Sequence, residues 1–144
     1  MMPAISTIIR RGLALWLALG CACCWATGIA VIVNPANGVD SMSREEVSHL
    51  FLGRIKHLSP GVTAIVLDTM PQREAFYQAL VGRGITEIDA YWARLRFSGR
   101  TQPPLRLGDA NAVLERVAHE RGAIGYVDSA LVDRRVKTVL RLDY

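Results

Sequence analysis

Beyond residue 26 the sequence has no cysteine, since Cys21, Cys23 and Cys24 all fall within the opening segment. A chain starting after that segment has no thiol nucleophile, no disulfide and no cysteine metal ligand, so its stability has to come from a packed core. Lysine is scarce, and arginine carries most of the positive charge. The planar guanidinium grips carboxylate and phosphate in bidentate fashion, although a GC-rich coding bias explains the same preference equally well. A Gly-x-Ser-x-Gly elbow is missing, and no serine has neighbours that nominate a base, so no catalytic residue and no enzyme activity are expected. His49, His57 and His119 are spaced neither with one another nor with carboxylates in a metal-binding pattern. No metal and no other cofactor is expected. Internal repeats and low-complexity tracts are missing too.

What is present begins with an export segment. Arg10 and Arg11 precede an apolar run from Leu13 to Leu19, and Cys24 and Ala26 stand in the small-x-small pattern of a cleavage site. Residues 1–26 therefore read as a cleavable signal peptide, and residues 27–144 as one periplasmic or secreted domain. A retained anchor is the competing reading, but a spanning helix needs roughly 20 apolar residues and Gly20 interrupts this run. A lipoprotein signal at Cys21 fits less well, because Ala18 stands where a larger aliphatic is usual. Loss of Arg10 and Arg11 leaves fifteen basic residues against thirteen acidic ones. That balance demands no nucleic acid partner.

Along the remaining chain, Ile29–Val33 is a short continuous apolar run ended by Asn34-Pro35, the pattern of a strand buried on both faces. Ser43 and Glu46 form a capping box, and Val47, Leu50 and Phe51 recur at helical spacing until Gly53. A second buried strand is expected over Val62–Leu67. Asp68-Thr69-Met70-Pro71-Gln72 then forms a turn into a helix starting near Arg73, with Ala75, Phe76, Ala79 and Leu80 inward. Thr86 and Asp89 are candidate caps for a third helix carrying Ile88, Trp92 and Leu95. Thr101-Gln102-Pro103-Pro104 is an extended connector. Asp109 opens a last helix with Val113, Leu114 and Val117, stopped by Gly122, and strands over Ala123–Val127 and Val136–Leu142 complete the chain. Strands alternating with helices predict an α/β fold, a three-layer sandwich with a mostly parallel central sheet.

The turn after the second strand is the leading candidate site. A strand running into a helix directs unpaired N–H groups and the positive end of the helix dipole at one point, which suits an anion. Thr69, Gln72 and Arg73 are the candidate donors there. Asn34 joins them as a candidate because it follows the first strand, where ligands of open α/β sheets gather. Each has an ordinary alternative: a solvated helix residue for Arg73, a turn residue for Asn34, a cap for Asp68 and for Asp109.

Several blocks occur together in order: Phe51-Leu52-Gly53-Arg54, Arg73-Glu74-Ala75-Phe76, Tyr91-Trp92-Ala93-Arg94-Leu95-Arg96-Phe97-Ser98-Gly99, Pro103-Pro104 and Gly122-Ala123-Ile124-Gly125-Tyr126-Val127. This set resembles the periplasmic phosphate-binding-protein-like family, and most closely its short members among phosphate ABC transporter substrate-binding proteins. The resemblance implies one lobe of a type 2 periplasmic binding protein. It also implies a phosphate turn, Ser-Gly-Thr-Arg with a phenylalanine three residues later. Arg73 and Phe76 match that pattern, whereas Met70-Pro71-Gln72 replaces Ser-Gly-Thr and Val66 replaces an earlier arginine. A small anion is the implied ligand, but with phosphate itself in doubt. The alternative is a scaffold that binds a periplasmic or membrane protein through the Arg94 to Arg106 surface, where Arg94, Arg96, Arg100 and Arg106 lie near Tyr91 and Phe97. A homodimer that restores a cleft is a further expectation.

Overall fold

Strand β1 (Ile29–Val33) is buried at all five positions because it lies inside a sheet covered on both faces. The computed structural model describes residues 28–144, and the export segment expected over residues 1–26 lies outside them. Helix α1 (Arg44–Phe51) starts at the expected capping box. Ser43 Oγ accepts from the Glu46 amide, and Glu46 Oε2 accepts from the Ser43 amide.

The single strand expected over Val62–Leu67 is in fact divided. Strand β2 (His57–Ser59) folds back on β3 (Val62–Thr63) as a hairpin about Pro60-Gly61, and β4 (Ile65–Thr69) belongs to the main sheet. The Ala64 amide donates to the Lys56 carbonyl and the Ile65 amide to the Gly122 carbonyl, so hairpin gives way to sheet between those two residues. Apolarity continues across this boundary, which is why composition alone does not reveal it.

A 3-10 turn at Met70–Gln72 leads into α2 (Arg73–Val81), followed by α3 (Ile85–Ser98). Gly84 caps α3, so neither Thr86 nor Asp89 performs the capping expected of it. Directly after the prolines comes an unexpected strand, β5 (Leu105–Leu107). Asp109 caps α4 (Ala110–His119) by accepting from the Ala112 amide. Strands β6 (Ala123–Asp128) and β7 (Lys137–Leu142) then close the fold.

The five-stranded sheet has the order β5-β4-β6-β1-β7. Strand β4 is parallel to both β5 and β6, and β1 is antiparallel to both β6 and β7, so four strands share one direction and β1 alone opposes it. On one face α1, α2 and α3 pack Phe51, Phe76, Tyr77 and Trp92 against Val31, Tyr126 and Val139. On the other, α4 packs Val113 and Val117 against Ile32, Leu67 and Val127. Gly125 permits that second contact. A Cβ there would stand 2.6 Å from Val113 Cγ1, well inside van der Waals separation. Among the described residues no helix is long and apolar enough to cross a membrane.

Candidate anion site at the strand-to-helix turn

Asp68 and Thr69 end strand β4 rather than lying in the turn, and both are buried. Strand alternation sends Leu67 toward α4 and Asp68 toward the opposite layer, where Tyr77 of α2 and Tyr126 of β6 also point. A carboxylate 1 % exposed needs partners. Four side-chain contacts supply them. Arg73 Nε donates to Oδ2 at 3.0 Å, the Tyr126 hydroxyl donates to Oδ1 at 3.1 Å, and the Tyr77 hydroxyl reaches Oδ1 at 3.1 Å and Oδ2 at 3.4 Å. Phe76 stacks on Tyr126 with ring centroids 3.6 Å apart, which fixes the phenol beneath the carboxylate.

Arg73 opens α2 and is 5 % exposed, so it is not the solvated residue that its position suggests. Its Nη2 lies 2.8 Å from Asp89 Oδ1 on α3, and Arg106 Nη2 of β5 reaches the same oxygen at 3.1 Å. Burial works against the Arg73 charge, yet the carboxylates of Asp89 and Asp68 outweigh it and hold the guanidinium above its ordinary pKa. Burial likewise pushes the Asp68 carboxyl above its usual range, with Arg73 and then the two phenols pulling down without cancelling the shift. Burial, reinforced by the Asp68 charge, raises both tyrosines far above the normal phenol value.

The fold that holds this network has counterparts among solved structures. No family model and no curated protein matches the sequence. A structure from Clostridium perfringens, described as a phosphate ABC transporter substrate-binding protein with bound phosphate, superposes with a TM-score of 0.63. Its sequence is 20 % identical over 78 % of this chain and 44 % of its own. An ABC-type phosphate transport receptor from Vibrio cholerae gives a TM-score of 0.60 at 20 % identity, covering 78 % of this chain and 45 % of its own. The chain has the fold of one phosphate-binding-protein lobe. It spans less than half the length of either of these neighbours.

Within this phosphate-binding-protein-like lobe the candidate residues separate. Thr69, Gln72 and Arg73 stay together at the C-terminal end of β4, but Asn34 lies at the opposite end of the sheet. The reason is the reversed direction of β1, whose terminus Val33 pairs with Ile124 while its start Ile29 pairs with Asp128. Asn34 is occupied where it stands. Its amide nitrogen donates to the Val117 and Ala118 carbonyls at 2.9 and 3.0 Å, closing the end of α4, and its oxygen accepts from the Ala36 amide. Thr69 is occupied as well, its amide bonded to the Tyr126 hydroxyl and its own hydroxyl to the Tyr126 carbonyl. Gln72 makes no cap, and its Oε1 is buried without a hydrogen-bond partner.

Sequence reasoning missed Tyr77, Tyr126, Asp89 and Arg106, and assigned Asp68 to a cap. Two signals were available. Asp68 directly follows an apolar run, where a carboxylate is costly unless paired, and Tyr77 lies four residues after Arg73 on the same helical face. Nothing local joins either residue to Asp89, Arg106 or Tyr126.

Proposed function

We propose that the chain is an extracytoplasmic, solute-binding-like module whose anion position is neutralised from within, so that alone it holds free phosphate weakly or not at all. One observation carries this reading: the Arg73 guanidinium, at the helix start where an anion would dock, lies against the carboxylates of Asp68 and Asp89. A captured phosphate recovers its lost hydration only through many charge-assisted hydrogen bonds. Here Thr69 spends both donors on Tyr126, Pro71 has no N–H, Met70 has no polar side chain, and two carboxylates oppose an incoming anion. The lobe fold and the export segment read at residues 1–26 support placement outside the cytoplasm. They also support an association with a membrane transporter, with no catalytic chemistry of the chain's own. Isothermal titration of residues 27–144 with inorganic phosphate tests the reading. A flat titration up to millimolar phosphate is expected, and sub-micromolar affinity would overturn it.

A second reading, a protein-binding scaffold that reuses the fold, rests on the end of α3. Phe97 is 94 % exposed there, with Arg94, Arg96 and Arg100 exposed around it. An aromatic flanked by arginines has the composition of an interface hot spot.

A further inference from the structure

Asp89 holds an unusual place: two guanidiniums from different elements, Arg73 of α2 and Arg106 of β5, converge on its single Oδ1 at 2.8 and 3.1 Å. We propose that Arg73 and Arg106 form a two-arginine clamp for a compact oxyanion of the phosphate or sulfate class, and that Asp89 is an intramolecular plug filling it. The proposal deepens the reading above and rests on it, because it names what keeps the lobe's anion position closed.

The two arginines differ in how they are held. Asp68 lies opposite Arg106 in the β4–β5 register and bonds Arg73 Nε, so it anchors one guanidinium from below and leaves Nη2 directed at Asp89. That first guanidinium is thus preorganised, and preorganised donors need little further ordering to receive an anion. The side chains of Asp89 and Arg106 are 50 % and 48 % exposed, so the plug stands at the solvent boundary and can leave without unpacking the core.

Stereochemistry favours a rounder ligand than the one in place. Each guanidinium is built to engage two oxygens of its partner, yet both meet one carboxylate oxygen here. A tetrahedral oxyanion has enough oxygens to give each arginine its own. Charge argues the same way. With Asp89 present, Asp68, Arg73, Asp89 and Arg106 sum to zero, and without it they leave one positive charge facing solvent. A tethered carboxylate competes at an effective concentration on the order of millimolar, so the plug suppresses weak external anions and yields only to a better-matched or more concentrated one.

The test uses residues 27–144 as wild type, Asp89→Ala, Asp89→Asn, and Asp89→Ala combined with Arg106→Ala. Each is heated with sodium phosphate, sodium sulfate or sodium chloride at matched ionic strength, and positive shifts are followed by titration calorimetry. We expect no phosphate-specific shift in wild type, a saturable shift in Asp89→Ala with affinity at least tenfold above wild type, and loss of most of that gain when Arg106 is also removed. Asp89→Asn keeps the side-chain shape, so it carries the test if the alanine variant folds poorly. A phosphate response in neither variant, or one that survives Arg106→Ala, overturns the clamp while leaving the proposed function intact. Tight phosphate binding by wild type overturns both. Unfolding of both single variants also refutes the plug, because a half-exposed side chain that only fills a clamp does not hold the fold together.

Discussion

Replacing Asp68 with alanine is the sharpest perturbation of the buried network. The carboxylate is 1 % exposed and the arginine it faces is 5 % exposed, so the substitution strands a charge that water cannot reach easily. Removing one member of a buried pair costs about 3–5 kcal/mol. The two phenols that donate to Asp68 lose their acceptor as well, at about 1–3 kcal/mol for a group left without any partner. Asp89 still faces the freed guanidinium, which places the expected loss near 4 kcal/mol, a large share of the roughly 5–15 kcal/mol that holds a domain folded. Asp68→Asn should cost less, about 1–2 kcal/mol, because it keeps an oxygen for the phenols. Burial, which pushes the Asp68 carboxyl upward, acts in the same direction by favouring an uncharged side chain there. Urea unfolding followed by circular dichroism measures both. With m of about 2 kcal/mol/M, the alanine variant should move the midpoint down by about 2 M. A loss below about 1 kcal/mol for Asp68→Ala, or a larger loss for asparagine than for alanine, would refute the assignment of Asp68 as the buried counter-ion.

Alkaline unfolding offers a second test, read from phenolate absorbance and stability together. Tyr77 and Tyr126 keep their protons when folded, whereas in the unfolded chain they ionise near pH 10, so the folded state binds more protons and stability falls as pH rises beyond that point. The slope approaches about 2.7 kcal/mol per pH unit when both unfolded phenols are ionised, and Tyr126→Phe should halve it. An unchanged slope in that variant would place the proton linkage elsewhere. For the scaffold reading, a photo-crosslinker at position 97 in cells exporting the protein should give discrete adducts that one at exposed Glu74 does not. Absence of adducts at position 97 would remove the reading's main support.

Much of the architecture was legible without coordinates because local rules decide it. The Ser43–Glu46 capping box, the Asp109 cap, the buried runs at Ile29–Val33 and Ala123–Val127 and the helix starting at Arg73 each depend on residues within one turn of each other. The break at Ala64 and the short edge strand Leu105–Leu107 were not legible, because each exists only through pairing with distant residues. Composition and order by themselves determined an α/β chain with no cysteine beyond residue 26, and determined that arginine and phenylalanine, but no Ser-Gly-Thr, stand at the turn into α2. Tertiary structure decided what that turn can do. Reversal of β1 carried Asn34 to the far end of the sheet, and convergence of β4, β5, β6, α2 and α3 paired Arg73 with Asp68 and Asp89, which in turn engage Tyr77, Tyr126 and Arg106. The physical reason is reach. Caps and helical stripes are set by neighbours a few residues apart, whereas the charge balance of a buried site is set by whichever side chains five separate elements bring within about 3 Å of each other.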